Sequence, residues 1–430
     1  MRTDWGSYGR RPIRLLTGVA LIDAVDRGIL PGVLTKVQDD LGFSDTQAGV
    51  LGSVFVFSGF LVALPAGYAS DRFSRTRIIA LVLASWGVIS ALNATVRTYW
   101  QFLLVRATLG AGETIDNPAS QSLIADYYPA DVRSRAYSFQ RAAPLVGLAL
   151  GTGFGGLVAS LLSWRWAFLL VGVPGSLLAL AMWRLPEPRR GESDGAETDE
   201  LPRGFTALVR DIKLTTSVPT LRSLMVGLAI ASGSLAGIGF WAPSFYERHT
   251  SLGSGSAAGL TAGLIFIGAL IGTLAGGRAA DRMRGRYEGA PMLLAGVSLL
   301  AGSALIMPSF LPVPLWVRIP LQIPAVALIV CGLPALSTMI TEVVPPSMRG
   351  TAFSITGFFS AVAGAVSPLL IGFIADRFPI TVDGEVKGHL GNAFLCVMPI
   401  VMIGALVVLR GRRHVAADTA RALVTNPTFA

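Results

Sequence analysis

Polar and charged residues break this chain at close to regular intervals, and between the breaks lie long apolar runs. An α-helix rises 1.5 Å per residue, so about 20 predominantly apolar residues cross the hydrocarbon of a bilayer. Twelve segments reach that length when short Gly, Pro and charge clusters serve as punctuation: 12–35, 46–70, 77–96, 99–122, 136–162, 164–184, 220–246, 257–280, 289–310, 312–341, 349–376 and 389–410. The pattern predicts an all-α membrane protein with twelve transmembrane helices in two six-helix, pseudo-symmetric bundles. One stretch departs from the rhythm. Residues 185–218 carry Pro186, Pro188, Arg189, Arg190 and an acidic run from Glu192 to Glu200, a composition that cannot bury a core of its own. The expected organisation is an N-terminal bundle over 1–184, a cytoplasmic linker over 185–218, a C-terminal bundle over 219–410 and a cytoplasmic tail over 411–430.

The two halves repeat each other. Gly67-Tyr68-Ala69-Ser70-Asp71-Arg72-Phe73-Ser74-Arg75-Thr76-Arg77 returns as Gly276-Gly277-Arg278-Ala279-Ala280-Asp281-Arg282-Met283-Arg284, each at the end of a long apolar run. A second phrase, Tyr128-Pro129-Ala130-Asp131-Val132-Arg133 through Ser138, aligns with Val344-Pro345-Pro346-Ser347-Met348-Arg349 through Ser354. Each copy falls between the fourth and fifth spans of its own half, so the halves read as parallel repeats, an arrangement that puts a ligand site near the bilayer midplane between them.

Composition agrees with a bilayer setting. Hydrophobic residues make up 52% and charged residues only 14%, against about a quarter charged in ordinary soluble domains. With the N-terminus placed in the cytoplasm, Arg10, Arg11, Arg14, Arg72, Arg75, Arg77, Arg133, Arg135, Arg189, Arg190, Arg282, Arg284, Arg410, Arg412 and Arg413 all fall inside. Few basic residues fall outside, which is the positive-inside bias. Both termini are then cytoplasmic. The formal charge of +9 is topological: the basic residues are spread over separate loops rather than gathered on one soluble face, which argues against nucleic-acid binding. Cys331 and Cys396 lie in apolar runs far apart, so neither a disulfide nor a thiolate metal site is expected. The first span is too long for a signal-peptide core and carries Asp23, Asp26 and Arg27, so it is read as part of the mature chain.

Ionisable side chains inside hydrocarbon are expensive, which makes each one a functional candidate. They gather in the first half: Asp23, Asp26 and Arg27 in the first span, Arg106, Glu113 and Asp116 in the fourth, Arg141 in the fifth. Arg106, Glu113 and Asn117 are spaced by seven and four residues and share one helix face. A buried carboxylate favours its protonated form and a neighbouring arginine opposes this. Movement of Arg27 or Arg106 relative to Asp26 or Glu113 therefore converts conformation into proton uptake or release; a structural tie between the first and fourth helices is the competing reading. The candidate ligand-contacting residues are Arg106, Asn117, Arg141 and Trp241, the last closing a nearly uncharged segment, 224–241, of the second half. Glycines at 147, 151, 153, 155 and 156 read as a packing stripe. No Ser/His/Asp arrangement, metal-ligand spacing or phosphate loop is present; neither catalysis nor a cofactor is expected.

The doubled Gly-to-Arg phrase resembles the signature of the major facilitator superfamily in the loop between its second and third helices, with a weaker echo between the eighth and ninth. The resemblance covers essentially the whole chain. It implies secondary transport by alternating access, with Gly67, Asp71, Arg72, Arg75, Asp281 and Arg282 in the cytoplasmic gate. Val25-Asp26-Arg27, Gly110-Ala111-Gly112-Glu113, Ala125-Asp126-Tyr127-Tyr128-Pro129 and Ser163-Trp164-Arg165-Trp166 are similar to the spinster branch. That branch is associated with moving lysolipids and phosphorylated sphingoid bases. The likeness implies Asp26 and Glu113 as the proton-coupling acids with Arg27 and Arg106 as partners; Glu113-Thr114-Ile115-Asp116 departs from the branch pattern. The expectation is a proton-linked carrier of an anionic amphiphile, monomeric, in a bacterial plasma membrane. A proton-coupled organic-anion symporter is the alternative within the superfamily, and a passive channel or non-transporting sensor the alternative outside it.

Overall fold

The computed structural model describes residues 5, 7–189, 192, 212–213, 216–283, 289–343, 349–382 and 384–424, with the side chains at 63–72, 113–115, 117–118, 130–131, 134, 141, 281, 334, 337–338, 341–342, 349–351 and 422–424 outside the description. Fourteen α-helices are seen among these residues. In the first half they are α1 (Arg11–Leu41), α2 (Asp45–Arg72), α3 (Arg75–Leu92), α4 (Tyr99–Tyr127), α5 (Ala130–Leu161) and α6 (Trp164–Trp183). In the second they are α7 (Pro219–His249), α8 (Ser254–Met283), α9 (Ala290–Ile306), α10 (Leu315–Cys331), α11 (Leu333–Val343), α12 (Arg349–Ala375), α13 (Leu390–Gly411) and α14 (Val415–Val424). Each of the twelve apolar segments falls on a helix, the tenth on two.

Nine of the described helices are long and apolar enough to cross a membrane by length and composition. Helices α1 and α4 are not among them, although they run 31 and 29 residues. Both carry several ionisable residues along their length, Asp23, Asp26 and Arg27 in α1 and Arg106, Glu113 and Asp116 in α4. The tenth apolar segment divides into α10 and α11 at Gly332, where a side chain would run into the Ala295 backbone of α9. Close helix approach there excludes anything larger than glycine.

Local signals set the ends. Gly42 closes α1 in the left-handed conformation at φ 66°, its N–H donating to the Gln38 carbonyl, the usual way of satisfying a C-terminal carbonyl without a Cβ penalty. Thr98 and Ser163 accept from backbone N–H groups at the starts of α4 and α6, as capping hydroxyls do. Two features go beyond the sequence reading. The loop after α12 folds into an antiparallel hairpin, β1 (Pro379–Val382) with β2 (Glu385–Gly388), around Gly384 at φ 84°. The tail is helical through Val424, and Asp418, 4% exposed, accepts from the Thr220 backbone N–H at 2.9 Å, capping α7 from 198 residues away.

The chain divides into two compact units, residues 1–199 with 242–263, and 200–241 with 264–430. The first packs Leu16, Val19, Ile79, Leu83, Leu123 and Tyr128 into one core cluster. In the second, Leu221, Met292, Met339, Ala352 and Val408 form the equivalent cluster.

Candidate functional site

The site is built on α1, and α5 sets its direction. A Cβ at Gly151 would fall 2.0 Å from the Val25 carbonyl oxygen, and one at Gly28 would fall 2.4 Å from that of Leu148, so the two helices touch backbone to backbone. The glycine stripe is thus consumed in packing, as the sequence suggested. With Val25 and Gly28 facing α5, the next residue, Asp26, is turned about 100° away.

Asp26 is fully buried, and its Oδ1 accepts from the Ser90 hydroxyl of α3 at 2.6 Å. Its Oδ2 makes no hydrogen bond among the described residues and lies 3.7 Å from Arg106 Nη1 of α4. Arg106, 3% exposed, rests its guanidinium 5.2 Å above the Phe55 ring of α2. Four helices therefore meet at one loosely held ion pair. At 3.7 Å the pair attracts without the geometry of a hydrogen bond, and one carboxylate oxygen keeps its desolvation cost only partly offset.

Sequence reasoning joined Asp26 to Arg106, and the two side chains are in fact together. Both are buried. Arg27 is exposed. Trp241 is fully buried and donates its indole N–H to the Pro368 carbonyl at 2.9 Å, so it packs within its own unit rather than presenting itself to a ligand. The side chains of Glu113, Asn117, Arg141, Gly67, Asp71, Arg72 and Asp281 lie outside the described residues. Glu113 is nonetheless placed on α4 two turns beyond Arg106, roughly 10 Å along the axis. Arg282 is exposed in the last turn of α8.

Arg75 differs most from the sequence picture of a gate or anchor arginine. It is 1% exposed and forms a hub: Nη1 bonds Asp126 and the Ser122 hydroxyl, Nε donates to Glu187 at 2.8 Å, and Nη2 donates to the Pro188 carbonyl at 3.1 Å. Glu187 also accepts from the Thr76 N–H, the Thr76 hydroxyl and the Ser74 hydroxyl. Burial pushes the Glu187 carboxyl up. The Thr76 and Arg75 hydrogen bonds and the Arg75 charge outweigh it and hold the group below the usual carboxylate range. The linker thus begins as a fixed strap across the starts of α3 and the end of α4. Asp126 was legible only within a family phrase and Glu187 only as one unnamed position of the 185–218 stretch; Ser90 and Phe55 carried no signal at all.

The sequence matches the Major Facilitator Superfamily over residues 16–368. The chain belongs to that superfamily. Its members are transporters, not enzymes, and this chain is a multi-pass integral membrane protein of that fold. Among curated superfamily proteins, protein spinster of Drosophila melanogaster is 31% identical over 237 residues, 54% of this chain and 38% of that protein. Protein spinster homolog 1 of Homo sapiens is 30% identical over 245 residues, 55% and 45% of the two chains. The match spans less than half the length of these relatives. An MFS-type efflux pump of Mycolicibacterium smegmatis is 26% identical over 415 residues, 94% and 92% of the two chains. Among solved structures, a bacterial homolog of the human lysosomal transporter spinster, inward-facing and unoccupied, has a TM-score of 0.84 at 24% identity, covering 96% of this chain and 99% of that one. A D-xylose–proton symporter reaches 0.71 at 18%, with coverage of 94% and 97%. These structures share the major facilitator fold with this chain.

Proposed function

We propose that this protein is a proton-linked secondary transporter of an amphipathic anionic lipid, a lysophospholipid or sphingoid phosphate, working by alternating access. The observation that carries the reading is the buried Asp26 carboxylate, with one oxygen unsatisfied and Arg106 at 3.7 Å. A small displacement of α4 ends that ion pair. Asp26 then takes a proton in place of the arginine, and Arg106 is released toward an anionic head group, so charge stays balanced through the cycle. Glu113, on the face shared with Arg106, is the second proton carrier; Asn117 and Arg141 are the further substrate contacts. Gly67, Asp71, Arg72, Asp281 and Arg282 form the cytoplasmic gate, with Arg75 holding its base. The cargo class rests on the likeness to spinster proteins. The protein works as a monomer in a bacterial plasma membrane, both termini cytoplasmic, its bundles spanning 1–184 and 219–410.

The phrase around Trp164, which also suits an organic-anion carrier, is engaged elsewhere. Arg165 pairs with Asp40 at 2.6 Å and stacks 4.3 Å over Trp164, whose indole N–H donates to the same carboxylate. It ties the end of α1 to α6.

Flux of a fluorescent lysophospholipid in proteoliposomes under an imposed pH gradient tests the proposal. Saturable, gradient-dependent flux is expected in the wild type and its loss in Asp26→Asn and in Glu113→Gln, with both variants still folded. Unchanged flux in both variants removes the coupling assignment. Non-saturable flux points to a channel, and transport of small carboxylates in place of the lipid points to the organic-anion symporter.

A further inference from the structure

A cavity of about 400 Å³ opens where α1 and α5 begin, among residues the transport reading does not use. Three arginines line it: Arg10 and Arg14 from the start of α1, and Arg135 from the first turns of α5. Its remaining walls are Trp5, Ile13, Thr17 and Phe139, and no carboxylate is among the described lining residues. The floor is fixed. The Tyr128 hydroxyl accepts from the Ile13 N–H and donates to the Gly9 carbonyl, pinning the segment before α1 against the end of α4. Trp5 stacks edge-on to Tyr128 at 5.6 Å and lies 6.4 Å from Phe139, with the Arg10 guanidinium 5.5 Å over its ring. Two buried donors of the wall, the indole N–H of Trp5 and the Thr17 hydroxyl, have no hydrogen-bond partner among the described residues. Trp5 itself is 7% exposed.

Topology anchoring does not account for two unpartnered buried donors beside an apolar wall. Three arginines bordering one cavity suit the oxygens of a phosphate. An aromatic and aliphatic floor at the mouth of two membrane-spanning helices suits the glycerol and first methylenes of an acyl chain. We infer that this cavity binds the phosphate head of an anionic phospholipid from the adjoining leaflet. Arg10, Arg14 and Arg135 neutralise the phosphate, and Trp5, Ile13 and Phe139 receive the apolar part. A freely dissolved phosphate is the competing source of the same chemistry, but it leaves the apolar walls unused. The site does not depend on the transport reading, and loss of that reading leaves it standing.

Native mass spectrometry of the purified full chain, titrated with phosphatidylglycerol and phosphatidylcholine of matched acyl length, tests the inference. Phosphatidylglycerol is expected to bind at least about ten-fold more tightly. Each arginine changed to glutamine is expected to weaken it roughly five-fold, the scale of one cationic side chain against an anionic lipid. Arg77→Gln, an exposed arginine stacked on Trp183 outside the cavity, should leave binding unchanged. Trp5→Phe, which removes the indole N–H and one ring but keeps an aromatic side chain, should weaken the anionic lipid more than the zwitterionic one. Should Arg10→Gln or Arg135→Gln fail to fold, Arg14→Gln alone carries the test. Equal binding of the two lipids, full binding by the arginine variants, or displacement of the lipid by millimolar inorganic phosphate each overturns it.

Discussion

A carboxylate placed in hydrocarbon costs about 3 kcal/mol on insertion scales unless its neighbours answer it, and the buried Asp26 and the part-exposed Glu187, each beside an arginine of the first unit, are answered very differently. Asp26 has one good hydrogen bond and a stretched ion pair; Glu187 has four donors. The first arrangement is suited to change and the second to permanence. Because the folded state holds the Glu187 carboxyl below its unfolded value, its contribution is fully present above about pH 4.3 and is lost as pH falls through the folded value. Glu187→Gln should therefore lower the melting temperature at pH 7, and the gap from wild type should close as the pH drops below about 4. Its side chain is 30% exposed, so solvent screening keeps the effect modest. Melting curves in detergent between pH 7 and 3.5 check this; a gap that widens toward acid contradicts the role.

Helices in a bilayer gain little from hiding apolar surface from one another, so close backbone contact has to supply the packing. Helices α1 and α5 do this through small residues at 28, 32, 147 and 151. Gly151→Ala should destabilise the protein by about 1–3 kcal/mol, the scale of overpacking. Gly259→Ala on α8, where a Cβ meets nothing within 4 Å, should be neutral or slightly stabilising. Equal melting temperatures for the two variants would sink the packing assignment. At this scale the spans and the stripe could be read in advance because each is a run or a period along one helix. The hairpin at 379–388 was not read: its strands are four residues long and too short to show an alternation.

At the scale of the molecule, residues 242–263 belong to the first unit although the rest of α7 and α8 belongs to the second. A buried cluster holds them there. Arg248 meets Asp45 through two bonds, Nη1 to Oδ2 at 2.7 Å and Nη2 to Oδ1 at 2.8 Å, and also bonds Gln38, which itself donates to Asp45. Removing one partner of such a buried pair costs about 3–5 kcal/mol, while replacing both costs much less. Hydrogen exchange over 242–263 should therefore quicken markedly in Arg248→Ala and recover in part in the double variant Asp45→Asn with Arg248→Gln. Unchanged protection in Arg248→Ala would show that the cluster does not anchor the segment.

Sequence alone determined that the chain crosses a membrane many times, that its halves are related and which superfamily it joins. Those properties follow from the cost of moving each residue into oil and from phrases that repeat along one dimension. It also marked Asp26 and Arg106, because a charge in a span is conspicuous wherever it points. Only the tertiary structure decided what each charge meets. Arg75 became a buried hub rather than an anchor, Asp418 became the cap of a helix at Thr220, 198 residues earlier, and Arg10, Arg14 and Arg135 came to line one cavity. Transfer cost is a property of a residue and its near neighbours. Partnership is a property of positions far apart in the chain, set by how helices turn and pack against one another.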